Sequence, residues 1–458
     1  MNTSFFGEML NSITERGRAL LDRARDRRGN DAARSESLVD LCEELLSGRG
    51  EASGVALAGE ILAKYGALTI GPRIAFFEAL AHRFGPDRPR LDAAIAAWQA
   101  APSDRTAAEV HAAAEARRQE LLRRFNLAPG GTAALVRMRE QLLDALDHRD
   151  DLAAVDADFV HLFSSWFNRG FLVLRRIDWS TPALILEKII RYEAVHRIRS
   201  WEDLRRRIDP PDRRCYAFFH PALVDEPLIF VEVALTRETP DAIAPILSVQ
   251  RDSIDPDKVM TATFYSISNC QRGLAGVSFG NFLIKQVVQE ISRETPRLKT
   301  YVTLSPAPGF AGWLNRERKS ESSSALSPDD KAALEGLDRQ GWWQLPQARQ
   351  PMQEPLLRAA AWYYLNAKNR VGLPADPVAR FHLGNGARLE RLNWLGDGSE
   401  NGISQSYGLM VNYLYDLEDI EKNHEAYVEG HKVVASSAVR RLLRNAMPAD
   451  QLPVPIAG

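Results

Sequence analysis

The sequence predicts an α+β protein, with an all-α helical bundle domain over residues 1–160 followed by a mixed α/β domain over 161–458. Up to about Asp158 the chain is a succession of Ala, Leu, Arg and Glu-rich segments with scarcely any β-branched alternation, which is the pattern of amphipathic helices. Beyond that point aromatics crowd in at Phe163, Trp166, Phe167, Phe171 and Trp179, and short apolar stretches bounded by Pro and Gly follow. A length of 458 residues gives each half enough chain to bury a core.

The helical reading begins at Ser37, where Ser37 and Asp40 make a capping-box-like start, Leu38, Leu41, Cys42 and Leu45 share one face, and Gly48 ends the run. Similar segments follow, punctuated by Gly66, Gly71-Pro72, Gly85-Pro86, Pro102 and Pro129-Gly130-Gly131. No period recurs among them, and no acid, base and nucleophile stand at a recognisable spacing, so this half reads as a scaffold or oligomerisation domain. In the second half Thr181-Pro182 opens a helix that leads through Leu186, Ile189, Ile190 and Ile198 toward Pro210-Pro211. Strands are expected at Cys215–His220, Leu228–Leu235, Val259–Ser268, Lys299–Leu304 and Tyr407–Tyr415. The third of these runs into a glycine-bearing loop and then a helix, Asn281–Arg293, whose Phe282, Ile284, Val287, Val288 and Ile291 form an apolar face.

With 58 Lys and Arg against 60 Asp and Glu, the formal charge is −2, and no global excess of either sign draws the chain to nucleic acid or acidic lipid. No apolar run approaches the roughly 18 residues that span a bilayer, so no membrane partner is expected. Cys42, Cys215 and Cys270 lie far apart with no C-x-x-C pair, which argues against a disulfide framework or thiolate zinc site and for a reducing compartment. The start, MNTSFFGEML, lacks the features of a secretory signal, and the arginines from Arg16 to Arg28 are interleaved with Glu15, Asp22 and Asp26, unlike a transit peptide. A cytoplasmic location is therefore expected.

Three patterns could carry chemistry. The loop Gln271 to Gly280 offers Gly273, Gly276 and Gly280, where positive φ lets main-chain N–H groups converge, and the following helix N-terminus adds about half a positive charge. Phosphate is well served by such a site. Within it Gly276-Val277-Ser278-Phe279-Gly280 matches the G-x-S-x-G nucleophile elbow, but an elbow follows its strand directly, and Asn269 to Ala275 intervene here. Glu193-x-x-His196 and Glu421-x-x-His424 have the spacing of di-iron ligands, yet the further glutamates from neighbouring helices are missing, so both pairs read as solvated or salt-bridged helix faces. There is no H-E-x-x-H, Walker-type or EF-hand spacing, and neither a metal nor a separate cofactor is implied.

Two further segments are the most informative: Thr303-Leu304-Ser305-Pro306-Ala307-Pro308-Gly309-Phe310 and Ala379-Arg380-Phe381-His382-Leu383-Gly384-Asn385-Gly386-Ala387. With Phe264-Tyr265-Ser266-Ile267-Ser268, Gly273-Leu274-Ala275-Gly276-Val277, Asn281-Phe282-Leu283-Ile284-Lys285, Arg391-Leu392-Asn393-Trp394 and Gly408-Leu409-Met410-Val411-Asn412-Tyr413, they resemble the malonyl-CoA decarboxylases. The resemblance covers the whole second domain and, more loosely, the helical first one. It implies a GNAT-like (acetyltransferase-fold) catalytic domain, malonyl-CoA as substrate, acetyl-CoA and carbon dioxide as products, and a homo-oligomer, up to a tetramer, joined through the helical domain. By the same resemblance Ser305 and His382 are catalytic, Ser266 lines the pocket, and Gln271 with the loop Ala275, Gly276, Val277, Ser278, Phe279, Gly280 and Asn281 binds CoA. Counting from Gln271, the acetyltransferase signature expects a glycine where Leu274 stands, which tells against ordinary acetyl transfer but not against CoA binding.

The chemistry of malonyl-CoA needs no organic electron sink, because the electrons of the breaking bond pass into the thioester carbonyl as an enolate. Ser305 is expected to orient the malonyl end and His382, at the ordinary imidazole pKa of about 6.5, to protonate the α-carbon. Acylation of Ser305 stays open, as do two other readings of the chain: an acetyltransferase or thioesterase acting on another CoA thioester, and a non-catalytic CoA-thioester sensor.

Overall fold

The structure, a computed structural model, describes residues 12–20, 37–48, 50–147, 149–277 and 283–444. It divides into two compact units. One contains the described residues up to Val173, the segment Phe219–Leu228 and the segment that begins at Gln271; the other contains Leu174–Phe218, Ile229–Cys270 and the described residues from Leu283 on.

The first unit is helical. Ser37 caps the helix Leu38–Leu46 by accepting the Asp40 N–H, and Leu41, Cys42 and Leu45 are its buried face, as the apolar spacing predicts. Helices Glu51–Gly66, Ile70–His82, Arg117–Asn126, Gly131–Leu146 and Ala153–Trp166 add Leu57, Ile61, Phe77, Leu80, Leu121, Phe125, Leu135, Leu142 and Phe159 to a core with no solvent access or nearly none. Gly71-Pro72 does not separate helices; it lies in the first turn of Ile70–His82, where a missing N–H costs nothing. Two buried arginines tie the bundle together: Arg118 Nε lies 2.5 Å from Asp158, and Arg139 Nε lies 2.8 Å from Asp156.

The second unit is built on an eight-stranded mixed sheet: β1 Val173–Ile177, β2 Arg213–Phe219, β3 Pro227–Thr236, β4 Thr261–Asn269, β5 Thr300–Thr303, β6 Ser305–Pro306, β7 Arg388–Asn393 and β8 Met410–Leu414. Their order is β1-β2-β3-β4-β5-β8-β6, with β7 also on β8. β3 and β4 are antiparallel, whereas β4 and β5 are parallel and joined through the helix Leu283–Glu294. A helical N-terminal region followed by this mixed-sheet domain is the α+β class expected. Burial on both faces accounts for the apolar richness of β3, and Ala234, Ile243, Ile246, Tyr265, Leu304 and Met410 pack into one cluster beside it.

Three local expectations change. The helix after Thr181 is two helices, Ala183–Tyr192 and Trp201–Ile208, because the Glu193 carboxylate accepts the N–H groups of Val195 and His196 and ends the first. The late strand starts at Met410 rather than Tyr407, since Tyr407 (φ 53°) and Gly408 (φ 79°) both turn left-handed to leave the helix Glu400–Ser406. Strands β1 and β7 were not expected. Among the described residues, no helix is long and apolar enough to cross a membrane.

Candidate active site

The site lies where the sheet parts. β4 and β5 stay in parallel register through Phe264 and Thr303, and the Leu304 N–H still donates to the Phe264 carbonyl at 2.9 Å. At the next residue the chain leaves β4 and keeps only β8, already the partner of β5 at Val302, with Ser305 opposite Val411. The cleft left between them, about 240 Å³, is lined by Phe264, Ser266, Asn269, Ser305, Phe381 and His382 among others. His382 arrives on the helix Pro377–Gly384. Asp376 caps that helix by accepting the Ala379 N–H at 2.9 Å, and Pro377 presets its first turn.

Ser266, Ser305 and His382, chosen from sequence, therefore meet in one cleft, each with no more than 6% of its surface exposed. Ser305 Oγ and His382 Nε2 are 3.0 Å apart. Ser305 also donates its hydroxyl to Thr303 Oγ1 at 2.8 Å, and Thr303 Oγ1 accepts the Tyr413 N–H. With the serine proton committed to Thr303, Nε2 must carry the hydrogen shared with Ser305, and Nδ1 accepts from the Tyr415 hydroxyl at 2.8 Å. The imidazole stacks on the Tyr413 ring, with centroids 4.5 Å apart.

Burial changes the expected acid-base behaviour of this group. Among the described residues His382 has no counter-ion, and desolvation pushes it down to about 3, so the ring is neutral at ordinary pH. An imidazolium at its ordinary pKa, as expected from sequence, is thus replaced by a neutral imidazole held in one tautomer by Tyr415. Desolvation also holds the Tyr415 phenol well above its usual range, so it stays a hydrogen-bond donor.

The glycine segment belongs to the helical unit. Gly273 packs so closely on Val136 that a side chain would overlap the Val136 carbonyl oxygen. Arg139 donates to the carbonyls of Gly273 (2.9 Å) and Ala275 (2.7 Å), and Gln271 donates to the Pro227 carbonyl at 3.0 Å. Gly276 takes the left-handed conformation expected, φ 77°. The Ala275 and Val277 N–H groups close turns on Arg272 and Leu274. Ser278, Phe279, Gly280 and Asn281 lie outside the described residues, and with them the elbow match.

Sequence reasoning missed Thr303, Tyr415 and Glu193. Glu193 and His196 are not a solvated helix face: both lie off the helix end, and the Glu193 carboxylate is buried against the Ser266 hydroxyl, 2.9 and 2.8 Å from its two oxygens. Glu421, by contrast, does sit on a helix face and pairs with Lys285, while His424 Nδ1 meets the Gly384 carbonyl at 2.8 Å.

The family model described as the malonyl-CoA decarboxylase C-terminal domain matches residues 170–452, and that for the malonyl-CoA decarboxylase N-terminal domain matches 84–167. The chain belongs to the malonyl-CoA decarboxylase family. As a member it is a carboxy-lyase. It is 36% identical to the mitochondrial malonyl-CoA decarboxylase of Anser anser anser over 419 residues, 83% of this chain and 82% of that one. The crystal structure of malonyl-CoA decarboxylase from Rhodopseudomonas palustris matches with a TM-score of 0.86 at 60% identity, covering 88% of this chain and 98% of that one. That from Agrobacterium vitis gives 0.85 at 57%, covering 89% and 99%.

Proposed function

We propose that the chain converts malonyl-CoA to acetyl-CoA and carbon dioxide, with Ser305 and His382 at the reacting end of the cleft. The observation that carries this reading is the 3.0 Å contact between Ser305 Oγ and His382 Nε2, inside a cleft of a malonyl-CoA decarboxylase family chain. Loss of carbon dioxide sends an electron pair into the thioester carbonyl, so the site must turn the carboxylate out of the carbonyl plane, exclude water, stabilise an enolate oxygen and supply one proton to carbon. Ser305 provides a short donor for the malonyl end once its hydroxyl swings from Thr303, and a placed donor of this kind is worth about 2.7 to 4 kcal/mol in an oxyanion site.

The proton is assigned to His382. A ring held near 3 by burial is neutral before substrate binds, but a malonyl carboxylate beside it favours the imidazolium, because an opposite charge within a few ångströms counters desolvation. Substrate thus enters with a proton from solvent. The added proton sits on Nδ1, which then donates to the Tyr415 oxygen. After carbon dioxide leaves, Nε2 gives its own hydrogen to the α-carbon, and the Nδ1–H ring left behind exchanges protons with solvent to regain the Nε2–H tautomer that accepts from Tyr415. Ser305 acts as a hydrogen-bonding group rather than a nucleophile, since its proton is donated to Thr303 and its oxygen faces an Nε2–H instead of a base.

We assign CoA phosphate binding to the glycine segment from Ala275 to Asn281, through main-chain N–H groups other than those of Ala275 and Val277, which close turns, with Gly276 at positive φ as support. The proposal extends to self-association through the helical unit, read directly by light scattering. Mass spectrometry of the mixture after incubation with malonyl-CoA and a chelator tests the reaction. Acetyl-CoA and carbon dioxide are expected; free CoA would make the chain a thioesterase, and unchanged malonyl-CoA a CoA-thioester sensor.

A further inference from the structure

Behind the cleft lies a carboxylate for which the chemistry above has no use. Glu193 is buried, and every partner it has is a donor: the hydroxyls of Ser266 (2.9 and 2.8 Å) and Ser268 (3.3 Å) and the N–H groups of Val195 (2.9 Å) and His196 (2.6 Å). This is the partner set of a carboxylate acceptor, and it fixes the direction of the Ser266 hydroxyl. Ser266 has one proton, and Glu193 takes it. Apart from a long 3.3 Å contact with the Ser268 hydroxyl, what Ser266 has left to offer the cleft it lines is lone pairs.

We propose that Glu193 is a positioning residue acting through Ser266: it makes that serine an obligate acceptor for the amide-bearing arm shared by all CoA thioesters, and denies the malonyl carboxylate a donor there. The inference rests on the cleft being the CoA-thioester site and adds a polarity to it. One end, Ser305 with His382, has donors for an anion; the other has an acceptor backed by a negative charge, which repels one. A malonyl group can then lie in the cleft in only one sense, with its carboxylate at the Ser305 end. Glu193 therefore contributes to orientation and not to the proton transfer.

The test compares KM for malonyl-CoA with the inhibition constant of acetyl-CoA, which has the same arm and no carboxylate. Ser266→Ala is expected to raise both by the same factor, about tenfold for one lost hydrogen bond, with kcat changed less than threefold. Glu193→Gln is expected to raise both constants, and the double variant to match Ser266→Ala, because Glu193 acts through that hydroxyl. Should Glu193→Gln fail to fold, Glu193→Asp takes its place in the cycle, with a smaller rise. A rise confined to malonyl-CoA would mean that Ser266 holds the carboxylate, and multiplying effects in the double variant would mean that Glu193 acts independently; either overturns the proposal. Failure of the decarboxylase reading is a separate result, seen as no acetyl-CoA from the unaltered chain.

Discussion

Ser305 and His382, 77 positions apart in sequence, share a buried 3.0 Å hydrogen bond because the strand carrying one leaves β4 at the point where the helix carrying the other ends. If the two act as a unit, their loss is not additive. His382→Ala is expected to lower kcat by about 10²-fold or more, Ser305→Ala by a similar factor, and the double variant no further than the worse single. Steady-state kinetics on folded variants checks this, and full multiplicativity would separate the two roles.

The low basicity of His382 gives a pH signature. Above about 3 the ring is neutral, so on the mechanism proposed productive binding takes up one proton. Log kcat/KM is then expected to fall by about one unit per pH unit between pH 5 and 8, since this ratio reports the free enzyme. A flat profile would mean that the neutral ring, rather than the imidazolium, is the acid. Tyr415→Phe leaves Nδ1 without its 2.8 Å donor and is expected to lower kcat about tenfold, the value of one hydrogen bond.

Much of this was legible in the sequence, and the exceptions share a cause. Helix faces such as Leu41, Cys42 and Leu45 follow from spacing, which is local, and the segments around Ser305 and His382 stand out by resemblance. Strands β1 and β7, VLRRI and RLERLN, carry charges at positions where a half-buried strand has apolar residues, so neither shows a clean alternation. Gly273 looks like part of a phosphate loop, yet its small size serves packing on Val136, a neighbour 137 positions away that no local pattern names. Glu193 is the sharpest case. A Glu-x-x-His spacing reads as one helix face only if the helix continues, and here the glutamate itself ends the helix by binding the next N–H groups.

Two buried histidines tie stability to acid. Desolvation lowers His382 to about 3 and His196 to about 4, whereas both titrate near 6.5 when unfolded. Below 6.5 the unfolded chain binds protons that the folded chain refuses, so stability present above 6.5 is lost as pH falls. Each group is expected to account for about 2 kcal/mol of loss at pH 5. The buried carboxyls of Glu232, pushed up to about 8, and Asp376, pushed up to about 6, act the other way between pH 7 and pH 5. The share of His196 is therefore read as the difference between the urea midpoints of the parent and of His196→Gln at the two pH values, and an equal pH dependence in both would contradict it.

The contact of the glycine segment with its own unit supports the last prediction. Gly273→Ala would place a methyl group against the Val136 carbonyl, backbone against backbone, so relief requires moving the helix Gly131–Leu146 or the loop itself. A cost of about 3 kcal/mol or more is expected, the upper range for overpacking. Arg139→Met probes the same junction differently: it keeps the buried stem but removes the donors to Gly273 and Ala275 and leaves Asp156 without its 2.8 Å partner, at about 3 to 5 kcal/mol for a broken buried pair. If the junction also shapes the segment proposed to bind CoA, affinity for free CoA in Arg139→Met falls in conditions where the variant is still fully folded by circular dichroism. Unchanged affinity beside the expected loss of stability would confine the role of Arg139 to the fold.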